Sequence, residues 1–467
     1  MGAPLRIDFG TQSNGGRYGS DTGPRHINAY VEKVEEGQPN YPIYVAEGLE
    51  EFTEIDDAIK TRGMVATDST LYSLIGTKFV GVDISGVVTE HGGIAGGDDV
   101  FMARNQAGQV AIVGDGVRYL FSGGALASLS DTDLPPPIGV TFADQRLIYP
   151  IADGRLFWSD LDAAGDIDAL SFSTAEGAPD GLVGAFAHRL DIWLPGTKTT
   201  EIWRSTANPD DPFQRMSGGF IPHGCAAPHS MKSLGETLIW VNDKAQVVAA
   251  QGYAPQVVSN HAVTRAIEDV TNKKAIVGFT YFSGGNGFYV LTCDEWTWQF
   301  NINTMRWFER MSDNRDNWRA RHSAQLGNEW YVGDSYDGQI NRVGRDIFDE
   351  NGDPLVWTVR SAPVHAYPNR VCVDRLHLDF ETGVGLASTD THESNPEVGM
   401  RFSDDGGKSW SNQLLRSLGA DGAHMQRVTY DGLGCTGRHG RIWELQVSAP
   451  VARALRYAAI EGDAIGT

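Results

Sequence analysis

Residues 63–94 read GMVATDSTLYSLIGTKFVGVDISGVVTEHGGI. Three short runs alternate apolar and polar residues, and polar turns separate them. That is strand periodicity, not helical periodicity. The central run, TLYSLIG at 70–76, recurs in altered form along the chain: QVAIVG at 109–114, RLIYP at 146–150 and RLDIWL at 189–194. It returns as TLIWV at 237–241, GFYVL at 287–291 and EWYVG at 329–333.

Successive copies begin 37 to 50 residues apart. Each follows another strand and a polar turn, as GVTFADQ precedes RLIYP and SAQLGN precedes EWYVG. Most lead into a third strand, as in LFWSDLDAAGDID or WTWQFNINTMRWFER. Strand, turn, strand, turn, strand at this period is the sequence form of propeller blades, each a four-stranded antiparallel sheet. One such sheet cannot bury both faces alone, whereas sheets stacked around an axis bury each other's apolar sides. A run of β-sandwich domains also alternates strands and turns, but rarely repeats at so short a period. The expected fold is all-β: a β-propeller of about seven blades, within a range of six to eight, over residues 41–350.

The repeat fades after Gly344. Residues 351–467 read as longer strands: LVWTVRSAPV, VCVDRLHLDFE, VGMRFSDD, HMQRVTYDGLG, GRIWELQVSA and ALRYAAIEG. They suit a β-sandwich-like C-terminal domain, interrupted by a disordered loop at 381–397. Residues 1–40, rich in Gly, Asn and Asp, read as an extended N-terminal arm. Helical patterns are confined to Glu54–Lys60 and Ala262–Asn272.

At 467 residues the chain exceeds one ordinary core, which agrees with a repeat architecture plus a second domain. Its net charge of −22 opposes tight binding of nucleic acid, since phosphate contacts need a positive field. It does not oppose a wall that nucleic acid slides past, and self-repulsion of like molecules in solution is its plainest use. Four cysteines, at 225, 293, 372 and 435, include no CxxC pair, so four free thiols in a reducing compartment are expected. The segment MGAPLRIDFGTQSNGG has no apolar core of signal-peptide length, and no run of about 18 apolar residues occurs. The expectation is a soluble protein made in a cytoplasm, without membrane insertion.

Residues 401–413, RFSDDGGKSWSNQ, raise two chemical readings. A phosphate-binding loop needs glycine five residues before Gly407, where Phe402 stands, so the nucleotide reading falls. Ser403, Asp405, Gly407 and Trp410 match the Asp box of sialidase propellers. Asp405 and Ser403 can bond backbone N–H groups inside a hairpin turn, glycines can take positive φ, and Trp410 can plug the turn from below. Such a box folds a hairpin and cuts nothing.

Sialidase chemistry needs three arginines, a tyrosine nucleophile with its glutamate, and an acid/base. Only one clear Asp box occurs, and no arginine precedes the Ile-Pro of Gly219-Phe220-Ile221-Pro222. No GxSxG, HExxH or post-strand GxGxxG occurs. His223, Cys225 and His229 form H-x-C-x-x-x-H, which reads as an irregular turn beside Pro222 and Pro228 more than as a metal trio. The acidic turns DISG, DLDAAGD and DSYDG lack calcium-loop spacing. No catalytic residue, cofactor or metal is assigned. Trp296 and Trp298 alternate with Phe300 on one strand face; core is their default reading, and an exposed receptor-binding patch is the alternative.

Taken in order, these features resemble the packaged-DNA stabilisation proteins of short-tailed bacteriophages, also called tail nozzle or tail hub proteins. Arg25-His26-Ile27-Asn28-Ala29-Tyr30-Val31-Glu32 is similar to that family's Arg-x-x-Asn-x-Tyr-x-Glu opening. The first blade, the Asp180-Gly181-Leu182-Val183-Gly184 run with its RLDIWLPGTKTTEIWRS hairpin, and the C-terminal FSDDGGKSWSNQLLRSLG and GRIWELQVSAPVARALRYAAIEG segments follow in the family's order. One departure is RVTYDGLGCTGRHGR at 427–441, poor in lysine where the family has a basic segment.

The resemblance implies a virion tail component assembled in the bacterial cytoplasm, with no active site. It implies a homohexameric ring below the portal and its head-to-tail adaptor, which extends or closes the channel and retains packaged DNA until genome ejection. Tail spike, fibre or needle proteins would attach to it, and double-stranded DNA would pass without tight binding. Arg25, Asn28 and Tyr30 would belong to an arm that locks neighbouring subunits. A propeller glycosidase of sialidase type and a receptor-binding propeller are the competing functions.

Overall fold

The computed structural model describes residues 5–15, 23–34, 41–165, 167–175, 177, 180–206, 208 and 211–465. In the first repeat, strands Thr61–Ala66, Thr70–Ile75, Lys78–Asp83 and Val88–Gly93 form one antiparallel sheet in chain order. Its buried side chains alternate between two faces. Leu74 and Phe79 pack against Val100, Val110, Ile112 and Phe121 of the next sheet. Leu71, Ile75, Val80 and Val82 pack on the opposite side against Leu326, Tyr331 and Ile340. Each such fully buried side chain contributes roughly 1.5–3 kcal/mol, gross of the chain entropy that opposes it. A sheet with two apolar faces is stable only when stacked on both sides, and that need produces the propeller.

Among the described residues five sheets are separate four-stranded units, and two further units are parts of larger sheets. All seven recurring runs lie in the second strand of their units: Thr70–Ile75, Val110–Gly114, Arg146–Pro150, Asp191–Pro195, Thr237–Val241, Asn286–Thr292 and Glu329–Asp334. The last unit takes Ala320–Leu326, Glu329–Asp334 and Gln339–Gly344 from late in the chain, and Gly48–Glu54 from its beginning. The register runs from Gly344 opposite Gly48 to Gln339 opposite Glu54. Gly48 has no alternative here, because a Cβ would stand 2.4 Å from the Asp349 carbonyl oxygen.

Two more sheets enclose the C-terminal core. One continues the sixth unit beyond Arg306–Glu309 through Arg25–Ile27, Trp357–Arg360, Ile442–Val447, Glu397–Ser403 and Leu414–Ser417. The other orders Ala29–Val31, Ile43–Val45, Ala454–Ile465, Arg370–Phe380 and Val428–Asp431, with Leu5–Arg6 beside Ala454–Ile465. Trp357, Trp443, Leu376 and Met400 are buried between them. The six long runs read from 351–467 are all strands, and Leu414–Ser417 is one the sequence reading missed. N-terminal strands complete both sheets.

Three expectations are corrected. Residues 54–60 form the end of a strand and a turn instead of a helix; Lys60 even has φ +57°. The other helix is present as His261–Asp269, with Asn260 accepting from the Val263 N–H as N-cap. The segment 381–397 is ordered, with the short helix Thr391–Ser394 and a bond from the Leu386 N–H to the Glu393 carbonyl. Cys372 and Cys435 are not free thiols: they face each other across an antiparallel bridge and form a disulfide. The reading of four free thiols considered only cysteines close in sequence, whereas strand register joins these two across 63 residues. Cys225 and Cys293 are free and buried.

The ring closes over a buried polar joint. Arg310 is fully buried; it donates to the Glu47 carbonyl (2.7 Å) and to Gln299 Oε1 (3.1 Å). Its guanidinium lies 3.8 Å from the Glu47 carboxylate and 3.8 Å above the Trp318 ring. Tyr281 donates to Glu47 Oε2 and Trp318 to Glu350 Oε1. Burial raises the Glu47 pKa, with Arg310 opposing. Removing one partner of such a pair typically costs about 3–5 kcal/mol. Arg310→Met is expected to lose that much in urea unfolding, and Glu47→Gln, which keeps an acceptor for the Tyr281 hydroxyl, less.

His26 is also buried, donating from Nε2 to the Phe9 carbonyl at 2.8 Å, while Nδ1 has no partner. Burial lowers its pKa to about 4, partly offset by the Phe9 bond. The unfolded chain therefore takes up the proton first. Stability is full above pH about 6.5 and falls toward pH 4, by ~2 kcal/mol at pH 5 from this group. His229, lowered to about 3, adds a slope of the same sign. In denaturant midpoints measured from pH 7 to pH 5, His26→Gln is expected to flatten part of the decline.

Candidate functional site

The innermost strands of the units surround a cavity of about 210 Å³ at the propeller axis. Its lining comes from the first five units and the last, and includes Met64, Phe101, Phe186, Met231, Lys232 and His322. Asp99 stands beside it, just before the strand Phe101–Arg104. Arg321 reaches Asp99 from the last unit by Nε (3.0 Å) and Nη2 (2.5 Å), and His322 Nε2 meets the same carboxylate at 2.9 Å. Asp99 and the adjacent pair Arg321-His322, 222 residues apart in sequence, thus join the second unit to the last.

Burial alone would raise the Asp99 pKa, but the His322 bond and the Arg321 charge hold it well below the usual carboxylate value. His322 is driven down by burial, against the Asp99 carboxylate. Burial likewise lowers Lys232, with Asp99 partly opposing. His229 stacks on Phe101 with ring centroids 4.2 Å apart. No pattern in the sequence pointed to this cluster, because its members come from separate units. Arg321-His322 preceding a repeat strand was the only local signal.

The Asp-box residues converge on one hairpin turn between Glu397–Ser403 and Leu414–Ser417. Asp405 Oδ1 accepts from the Lys408 and Ser409 N–H groups at 2.9 Å each, and Oδ2 from the Ser409 hydroxyl at 2.6 Å. Those bonds, led by the Ser409 hydroxyl, lower its pKa. The Gly407 N–H donates to Ser403 Oγ, and Gly406 and Gly407 have φ of +78° and +85°. Trp410 differs from the expected plug. It is half-buried, with the Arg360 and Arg401 guanidinium groups each 4.8 Å from its ring. Both arginines pair with buried Glu444, so the indole covers a charged group where a hydrophobic contact was expected.

Arg25, Asn28 and Tyr30 lie against the chain's own sheets. Arg25 makes a two-pronged pair with Glu309. Asn28, at φ +52°, turns the chain from one C-terminal sheet to the other. Its side chain donates to the Met311 and Val356 carbonyls and accepts from the Met311 N–H. Tyr30 is buried and donates to Glu32.

His223, Cys225 and His229 do not converge. His223 Nδ1 meets Asn242, Cys225 donates to the Ala227 carbonyl, and His229 faces the axis. Among the described residues no three His, Cys, Asp or Glu side chains are grouped to hold a metal. In the acidic turn DISG, the Asp83 carboxylate accepts from the Ser85 and Val87 N–H groups. Trp298 is buried, and Trp296 is half-buried with its N–H given to the Ala266 carbonyl.

Replacing Asp99 tests the axial cluster. Asp99→Asn leaves the 3 % exposed Arg321 side chain without its counter-ion, an expected loss of about 3–5 kcal/mol at pH 7. A depressed carboxylate pKa stabilises the fold above about pH 4 and ceases to do so as pH falls through the folded-state value. The gap between wild type and variant in urea unfolding should therefore narrow at pH 3.5.

No curated protein matches the chain. Among solved structures it is similar to PorZ, an essential bacterial surface component of the type-IX secretion system of Porphyromonas gingivalis. That match has 13% identity and a TM-score of 0.40, and covers 78% of this chain and 46% of that one. The chain thus spans about half the length of PorZ. The computationally designed Ika8 protein matches at 13% identity and TM-score 0.40, covering 67% of this chain and 96% of that one. The WD40 β-propeller domain of Doa1 matches at 12% identity and TM-score 0.41, covering 64% and 97%. The family model described as "Bacteriophage P22 Gp10, beta-propeller" matches residues 12–347, from the N-terminal strands through the closing unit. That is well over half of the sequence, and the chain belongs to this phage stabilisation family.

Proposed function

We propose that this protein is a tail nozzle subunit, several copies of which form a ring below the portal and adaptor and bound the DNA channel between them. Membership of a family of structural phage proteins, with a role in the tail and in DNA stabilisation, is the observation that carries the reading. The filled axis supports it. A cavity of about 210 Å³ crossed by Phe101, Phe186 and the Asp99 cluster cannot pass a duplex whose major groove alone is ≈ 12 Å wide. DNA would therefore run between subunits, past surfaces of a chain whose net charge is −22. Such a wall disfavours phosphate binding and lets the duplex slide during ejection.

Homohexameric assembly, attachment of spikes, fibres or a needle, and assembly in the host cytoplasm belong to the same proposal. Arg25, Asn28 and Tyr30 would serve the ring indirectly, by bracing the sheets that neighbours contact. The glycosidase reading draws no support from the axis, where Arg321 is tied to Asp99 and no tyrosine or glutamate lines the cavity. The receptor-binding reading draws none from Trp296 and Trp298, which are spent on the fold.

Light scattering of the purified chain, alone and with the adaptor ring, tests the proposal. A closed oligomer near six copies, or a monomer that becomes one on the adaptor, is expected. A monomer indifferent to the adaptor would overturn it.

A further inference from the structure

The axial cavity holds two nitrogen groups that the fold does not use. Lys232 opens the inner strand of the fifth unit, and His229 lies in the short 3-10 turn before it. Both line the cavity. Among the described residues the Lys232 side chain makes no hydrogen bond or ion pair, and neither ring nitrogen of His229 has a hydrogen-bond partner. The nearby Asp99 carboxylate is already engaged, accepting from Arg321 on both oxygens and from His322 on one. The Thr141 and Ser233 hydroxyls are engaged as well, with the Ala187 N–H and with His188.

The charges do not balance inside this space. Arg321 and Asp99 cancel, and among the described residues the Lys232 side chain is the cationic group of this space without a salt-bridge partner, although burial lowers its pKa. Lys232 is half-buried, and a cation partly withdrawn from water gains from a counter-ion. Here the ammonium faces a cavity with volume for about seven waters at ≈ 30 Å³ each. The lining also carries Met64, Phe101, Phe186 and Met231, soft and apolar, beside the polar Thr141, Ser233 and His322.

We propose that the propeller axis is a binding site for a small monocarboxylate, its oxygens held by the Lys232 ammonium and the His229 N–H and its short apolar body lying against the methionine and phenylalanine side chains. A single ammonium matches one negative charge and not the several of a nucleotide. The cavity is also too small for one. The neutral imidazole supplies a donor without adding charge, and its stacking on Phe101 fixes the ring plane. The ligand would lock the inner strands of the second and fifth units together, so its binding stabilises the ring of sheets by mass action. The site lies within one chain and does not depend on the nozzle reading.

Isothermal titration of the full-length chain with propionate, in a buffer free of other carboxylates, is the test. Chloride and inorganic phosphate serve as comparison titrants. One-to-one binding of propionate with Kd on the order of 1 mM or tighter is expected, together with a raised Tm. Lys232→Met should weaken it roughly tenfold or more, as loss of a charged hydrogen bond implies. The unliganded variant should melt no lower than wild type, since it loses an unpaired cation. Lys232→Gln, which keeps a polar side chain at this position, is the second variant.

If neither variant folds, carboxyl-13C propionate added to wild type decides the matter. A signal broadened by the protein and restored by excess unlabelled propionate supports the site; an unaffected signal overturns it. Absence of saturable binding, binding unchanged by both substitutions, or binding of phosphate alone would each overturn the proposal.

Discussion

The fold depends on closing a ring of sheets with strands from opposite ends of the propeller, and Arg310 is the group on which that closure rests. It follows the outer strand of the sixth unit, touches Glu47 immediately before the closing strand Gly48–Glu54, and covers Trp318 at the entrance to the last unit. A guanidinium with no exposure needs partners within the protein, and here Nη1 and Nη2 have them while Nε has none. Those bonds and the Trp318 stacking tie the N-terminal segment, the sixth unit and the seventh together. The apolar contacts supply the larger free energy, but they are not directional. The polar joint selects which strands meet.

The same N-terminal segment serves the C-terminal half. Residues 25–31 enter one sheet as Arg25–Ile27, turn at Asn28, and enter the other as Ala29–Val31. An asparagine takes positive φ at less cost than most residues, and its amide satisfies three backbone groups at the crossing. The core around Trp357 and Trp443 is continuous with that of the sixth and seventh units. Propeller and C-terminal sheets therefore share one continuous core.

Function at the axis follows from the same stacking. Inner strands converge, so side chains from many units crowd into one narrow space, and aromatic and charged groups fill it instead of a pore. The interior is left with room for a small molecule at most. A fold that looks like a channel in outline is, for one chain, closed.

Much was legible in the sequence because it was local. Alternation with a period of two, turns between runs, and recurrence at 37 to 50 residues marked the second strand of every unit, and Ser403, Asp405 and Gly407 lie close enough in sequence to define their hairpin. What remained hidden depends on contacts between strands. The closing strand is split from its unit by almost 300 residues, Cys372 meets Cys435 only through strand register, and Trp410 finds its cover in arginines from two other strands. Asp99, Lys232 and the Arg321-His322 pair come from separate units and share no pattern in sequence. Periodicity determines that sheets form and stack, since it encodes which faces are apolar. Which polar groups meet at the axis and the joint is set by the geometry of closure, and only the tertiary structure decides that.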